Sequence, residues 1–250
     1  MITSFNHNNL NYKADLKQPI DISIPLQEGD NNPNCYGAKP VVFETIKDGN
    51  FIGSVAAGGS VNYQRIMITP HGNGTHTECI GHITAKGETI NQSLKAFHFF
   101  AKLISITPEK KEDDMVITLE QIEDRLKNNE AEALVIRTQP NTSDKQLKKY
   151  SGTNPPYLQA DATAYLLKSG IKHLLVDLPS IDKEIDGGKL AAHKAFWGFP
   201  DKVRTDASIT ELIYVPNEVA DGYYLLNIQL CSLEADAAPS KPVLYKLQNI

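Results

Sequence analysis

The sequence predicts one mixed α/β domain, and three observations carry that expectation. The order strand 133–137, helix 162–169, strand 173–177 reads as a right-handed βαβ unit with parallel strands. Both ends of the chain are rich in β-branched residues with period-two alternation, the pattern of meandering strands. No repeat, low-complexity tract or linker divides the 250 residues, so the domain is expected to span 1–250 with its core at about 18–248.

Taken in order, alternation places strands at 21–26, 41–46, 61–69 and 102–107. A helix follows from Thr118 to about Asn128, because Thr118-Leu-Glu-Gln121 has the spacing of a capping box. After strand 133–137 comes a polar loop, 141–156, with two prolines near its end. The next helix is expected to take Asp161 as N-cap and to stop at Gly170, which tolerates the left-handed conformation at a helix end. Strands at 173–177, 210–215, 223–230 and 243–247 complete the chain.

Composition narrows the function classes. The net charge is −5 and no long basic run occurs, which argues against a nucleic-acid partner. No stretch of about 18 apolar residues appears, so no membrane span is expected, and the N-terminus lacks the apolar core of a secretion signal. Three scattered cysteines, an odd number, argue against a disulfide framework and for a reducing, cytoplasmic setting.

Three of the seven histidines fall in Pro70-His-Gly-Asn-Gly-Thr-His-Thr-Glu-Cys-Ile-Gly-His82. Gly72-Asn-Gly74 disfavours a helix, so the segment is expected to be extended or turned. In an extended chain His76, Glu78 and His82 share one face, a donor set suited to zinc or a similar divalent ion. His71 has the opposite parity and joins them only if the glycines absorb one residue as a bulge. The alternative is a polar turn in which the histidines cap backbone groups.

The segment resembles the metal-binding signature of the cyclase family, His-x-Gly-Thr-His-x-Asp-x-Pro-x-His. Gly74-Thr-His76 matches, Glu78 stands for the aspartate, His82 matches the last histidine, and Ile80 replaces the proline. Gly72 occupies the position of the first histidine, with His71 just before it. Downstream, Val176-Asp-Leu-Pro-Ser-Ile-Asp182, His193 and Glu211 are similar to further landmarks of the family, and Asp21-Ile-Ser-Ile-Pro-Leu26 is similar to its opening.

The resemblance implies a barrel-like mixed β core flanked by helices, of swivelling β/β/α type. It implies one or two divalent ions, zinc or manganese, held by His76, Glu78, His193 and Glu211, with His71 as a possible fifth ligand. It further implies a homo-oligomer that hydrolyses the C–N bond of a small linear or cyclic amide. Within that frame His82 is expected to carry the proton between attacking water and leaving amine, or else to orient Glu78 or the water. Glu211 ligates or shuttles protons. The displaced first histidine leaves open a member that binds metal or small molecules without turnover.

The resemblance also implies Phe51 and Tyr36 as candidate substrate walls, and Trp197, four residues after His193, is a core candidate first and a substrate wall second. Asp177 and Asp182 are candidates for orienting ligands. His7 and His173 read as surface residues, and His98 as packed among Phe97, Phe99 and Phe100.

Overall fold

Two asparagines at positive φ, Asn8 (48°) and Asn9 (64°), turn the chain between β1 (Ile2–His7) and β2 (Leu10–Asp15). Asparagine tolerates this conformation, and the pairing of His7 with Leu10 makes it a two-residue hairpin loop. The computed structural model describes residues 1–249. In it the hairpin is zipped onto the end of the last strand, Ala14 opposite Leu247.

Seven further strands close on themselves: β3 (His76–Glu78), β4 (His98–Ile106), β5 (Ala133–Thr138), β6 (His173–Val176), β7 (Ser208–Glu211), β8 (Gly222–Leu230) and β9 (Ala237–Asn249). The order around the barrel is β9, β8, β4, β5, β6, β7, β3 and back to β9. Glu78 of β3 closes it by pairing with Ile209 of β7 on one side and Ala237 of β9 on the other. Strands β4 to β7 run parallel and the remaining pairings are antiparallel.

Short helical pieces fill the connections: α1 (Pro70–Asn73), α2 (Ile90–Ser93), α3 (Leu119–Glu123), α4 (Ala160–Lys168) and α5 (Ala191–Trp197). The βαβ unit is present, with α4 crossing between β5 and β6, and Ala133 in register with His173. The fold is a mixed α/β domain with a closed barrel and few helices, as expected.

Every residue of β5 is buried, because this strand has a packed layer on each side. Leu134 and Ile136 join the cluster that includes Leu166, Phe196 and Trp197 from the helices. Ala133 and Val135 join Leu103, Leu175 and Leu226 in the second cluster. Period-two alternation thus sorts one strand between two cores.

Several boundaries shift. The helix expected to reach Asn128 ends at Glu123, although its capping box forms. The N-cap of α4 is Gln159 and not Asp161, which instead accepts from the Ala162 N–H. Gly170 does take positive φ (83°) just past that helix. Of the 21–26 segment only Asp21 pairs as strand, in Ile20–Asp21, and β7 begins at Ser208 and ends at Glu211, short of 215. Helix α5 lay outside the expected elements.

His7 is half-buried, stacked on Phe100 with ring centroids 3.9 Å apart, and His98 is exposed, the reverse of the expectation for both. His173 is buried at 3% exposure, with Nδ1 2.9 Å from Ser208 Oγ. Burial, with Lys172 nearby, lowers its pKa from the ordinary 6.5 to about 3. A histidine held neutral in the fold takes up its proton first in the unfolded chain. Its contribution is therefore intact above about pH 6.5 and is lost as pH falls from there toward 3. His173→Gln is expected to flatten the acid side of the stability curve by up to about 1.4 kcal/mol per pH unit, measured by urea denaturation at several pH values. Identical slopes in the two proteins would exclude this cause.

No helix among the described residues is long and apolar enough to cross a membrane.

Candidate metal centre

Strand geometry aligns the first two residues of the centre. His76 and Glu78 lie two apart on β3 and are fully buried, while Thr77 between them faces away and bonds Thr210 and Ser240. The β3–β7 register sets Glu211 opposite His76. Glu211 is the last residue of β7, so its side chain stands at the barrel mouth, with Oε1 accepting from the Ile181 N–H at 3.0 Å.

His76 Nδ1–H donates to the Gly74 carbonyl at 2.9 Å. That bond fixes the tautomer and leaves Nε2 as a bare lone pair, 3.4 Å from Glu211 Oε2. His193, on α5, meets Asp182 Oδ2 through Nδ1 at 2.5 Å and Glu78 Oε1 through Nε2 at 3.0 Å. Asp182 also accepts from the Ala192 and His193 N–H groups, so one carboxylate seats the helix start and orients the imidazole. Of the two aspartates expected to orient ligands, only Asp182 is here. Asp177 instead bonds Thr138 and pairs with Lys145 at 2.8 Å.

The path into the centre differs from a continuous extended chain. Pro70–Asn73 is a helical turn, contrary to the expectation that its glycines exclude one. A Cβ at Gly72 would sit 2.4 Å from Ala38 Cβ, so the position that carries histidine in the resembling signature has no room for a side chain here. The turn sends His71 inward instead, Nδ1 lying 3.1 Å from Glu78 Oε2 and Nε2 2.9 Å from Asp236 Oδ2. His82 arrives by a 3-10 turn, Ile80–Ile83, and not by strand parity. Its Nδ1 lies 3.2 Å from Asp236 Oδ2 and 3.8 Å from Glu78 Oε2.

Of the three buried side-chain atoms without a hydrogen-bond partner among the described residues, one is Arg204 Nε and two lie in this centre, His76 Nε2 and Glu78 Oε2. Both are the kind of atom a metal takes, and leaving either without a partner costs about 1–3 kcal/mol. Ligand atoms about 2.0–2.1 Å from a tetrahedral zinc stand roughly 3.3 Å apart. The separations of 3.4, 3.0 and 3.1 Å between His76 and Glu211, His193 and Glu78, and His71 and Glu78 match that spacing. Imidazole nitrogens with carboxylate oxygens fit zinc, and manganese next.

Charge points the same way. Glu78, Asp182, Glu211 and Asp236 converge on the imidazoles. Burial opposes the charged rings, yet Asp236 and Glu78 raise His71 to about 10, and Asp182 and Glu78 raise His193 to about 10. Glu78 stays well below the usual carboxylate range despite full burial, held there by His82, His193 and His71. A divalent ion would displace the ring protons at its ligands and supply the positive charge itself.

A cavity of about 230 Å³ opens above the centre, lined by Tyr36, His71, His82, Ser180, Lys183, His193 and Glu211 among others. Tyr36 is there, its hydroxyl raised by burial and by nearby Glu211. Trp197 is not: it is fully buried behind His193, its indole N–H donating to the Ala207 carbonyl. Phe51 sits on an exposed excursion, packed edge-on against Tyr63, and this chain does not bring it to the cavity.

Asp236 went unnoticed in the sequence. It precedes β9, and the pairing of Ala237 with Glu78 delivers it to the centre. No local pattern announces such a residue; only the β3–β9 register does.

Fold and geometry together define a single-domain closed mixed barrel with a buried histidine–carboxylate centre at its mouth. The family model described as "Putative cyclase" matches residues 15–183, well over half of the chain, and the chain belongs to the cyclase family. It is 26% identical over 227 residues to the kynurenine formamidase of Bacillus cereus strain ATCC 14579, covering 90% of this chain and 96% of that one. It is equally 26% identical, over 235 residues, to the kynurenine formamidase of Bacillus cytotoxicus, covering 93% and 97%.

Among solved structures, a potential metal-dependent hydrolase with cyclase activity superposes with a TM-score of 0.67 at 20% identity, covering 91% of this chain and 97% of that one. An isatin hydrolase bound to the product analogue thioisatinate gives 0.64 at 14%, covering 92% and 93%. At these identities the structures establish the fold.

Proposed function

We propose that the chain is a metal-dependent amidohydrolase that cleaves the C–N bond of a small amide, in the manner named for its formamidase relatives. The observation that carries the reading is the pair of buried, unpartnered atoms His76 Nε2 and Glu78 Oε2, in a cluster with His71 and His193 and with Glu211 3.4 Å from His76. His76, Glu78, His193, Glu211 and His71 would hold one or two ions, zinc first and manganese second. A bound ion supplies the charge that polarises the amide carbonyl and acidifies the attacking water.

The chain's own residues do the rest. Asp182 holds the His193 ring and the Gly74 carbonyl holds that of His76, so the ligands are oriented before any substrate arrives. His82, on the cavity wall, accepts a proton from the attacking water and returns it to the amine nitrogen as the C–N bond breaks. The water oxygen ends on the acyl carbon, and the products are a carboxylic acid and an amine. A cavity of about 230 Å³ suits one small acyl or ring group, and an N-formyl aryl amine is the substrate class favoured. Tyr36 and Ser180 line the approach.

A homo-oligomer is also proposed. The ribbon of Val42–Thr45 and Gln64–Met67 exposes Val42, Ile66 and Met67, with Phe51, Val55, Val61 and Tyr63 exposed nearby. Two strands alone are marginally stable in water, and a second copy would cover these side chains. A cytoplasmic location agrees with three cysteines that form no disulfide, two of them buried.

Elemental analysis of the purified protein, followed by an assay on N-formyl aryl amines and small lactams, tests the reading. The expected result is one or two equivalents of zinc or manganese, and hydrolysis abolished by a chelator and restored by the metal. Protein without stoichiometric metal and indifferent to chelation would sink it.

A further inference from the structure

We propose that Asp236 is a positioning residue whose single oxygen Oδ2 sets the tautomers of both His71 and His82. The inference rests on the hydrolase reading above for the role of His82 but not for its geometry. Oδ2 lies 2.9 Å from His71 Nε2 and 3.2 Å from His82 Nδ1, both with hydrogen-bond geometry. A carboxylate oxygen only accepts, so each ring must present an N–H to it. The two imidazoles, with centroids 4.3 Å apart, are thus pinned by one atom.

The consequences differ for the two rings. With one proton committed to Asp236 on Nε2, His71 turns Nδ1 toward Glu78 Oε2, 3.1 Å away. That contact lacks hydrogen-bond geometry, and Oε2 has no other partner. Without metal a second ring proton on Nδ1 answers that carboxylate; with Nε2–H held by Asp236, a bound ion would replace the Nδ1 proton and take Nδ1 as its ligand atom. Asp236 thereby makes His71 a ligand, although the histidine is one residue out of place.

With its proton on Nδ1, His82 keeps a bare Nε2, for which the described residues offer no partner. Nε2 is then the atom that accepts the proton of the attacking water. One carboxylate so determines which nitrogen binds metal on one ring and which acts as base on the other. The backbone secures Asp236 itself: its carbonyl accepts from the Cys79 N–H at 3.0 Å, beside Glu78.

Long-range ¹H–¹⁵N correlation spectra of the zinc-loaded protein read imidazole tautomers directly, with the His82 resonances assigned by their loss in His82→Gln. The expected wild-type spectrum has His82 protonated on Nδ1, and Asp236→Ala is expected to convert it to a mixture. Asp236→Asn, which offers an amide N–H to the ring, should favour the Nε2–H form. At saturating zinc, ligation itself holds His71 as Nε2–H, from which the amide oxygen of Asp236→Asn can still accept, so the full metal complement and KM within about twofold should remain while kcat falls about 10–100-fold. Asp236→Glu should recover part of that loss.

A wild-type His82 protonated on Nε2 would overturn the proposal, and this measurement needs no variant to fold. An unchanged tautomer in Asp236→Ala would overturn it too, as would loss of one zinc equivalent from Asp236→Asn at saturating zinc, which would make Asp236 a ligand. Wild-type protein that binds zinc but hydrolyses no amide would defeat the hydrolase reading while leaving the tautomer result to stand or fall by itself.

Discussion

His82→Ala is expected to lower kcat by about 10²–10⁴-fold, the usual contribution of a positioned proton carrier, while metal content stays at the wild-type level. The reason is geometric. His82 is 29% exposed on the cavity wall, and its nearest approach to Glu78 is 3.8 Å, longer than the 3.0 Å from His193 to Glu78 and the 3.4 Å from His76 to Glu211. Removing it leaves every hydrogen bond of His76, Glu78, His193 and Glu211 in place. Metal analysis and steady-state kinetics on the same preparation check this. Metal loss as complete as that caused by removing a buried ligand would make His82 a ligand and not a base.

His76→Ala is expected to do the opposite and empty the centre. His76 has no exposed surface, and its Nε2 faces Glu211 at 3.4 Å with nothing else to bond. Its loss removes one nitrogen donor, and an ion that no longer binds would leave the buried carboxylates Glu78 and Glu211 without counter-charge, a change that costs on the order of 3–5 kcal/mol. At least one metal equivalent and nearly all turnover should disappear together. Thermal melts with and without added zinc supply a second readout: wild type should gain stability with free metal and His76→Ala should not. A variant that still melts higher with zinc and retains its full complement would remove His76 from the centre.

Part of this arrangement was legible from local pattern. The βαβ unit followed from the strand periods and the helix stop at Gly170, because that chemistry is decided within a few residues. The shared face of His76 and Glu78 followed from strand parity, which needs only that three residues stay extended. The seat of His193 beside Asp182 was half legible, since the two lie on one loop and the helix it starts.

The remainder depended on distant packing. The parity argument brought His82 to the right place for the wrong reason, because the strand ends at Glu78 and a 3-10 turn completes the approach. His71 was a misfit in an extended frame and fits in a helical turn. That turn packs Gly72 against Ala38, from a segment more than thirty residues earlier. The N-terminal hairpin carried its turn signal at Asn8 and Asn9, but its place on β9 was set at the other end of the chain.

The sequence by itself therefore determined the kind of molecule: a mixed α/β barrel whose histidines and carboxylates are of the types that take a divalent ion. Tertiary structure decided which of them meet. Closure of the barrel sets Glu211 opposite His76 on one side of β3 and brings Ala237 opposite Glu78 on the other, so that Asp236 falls between His71 and His82. Composition and periodicity act over a few residues, whereas strand register couples positions more than a hundred apart, and the centre is built where those registers coincide.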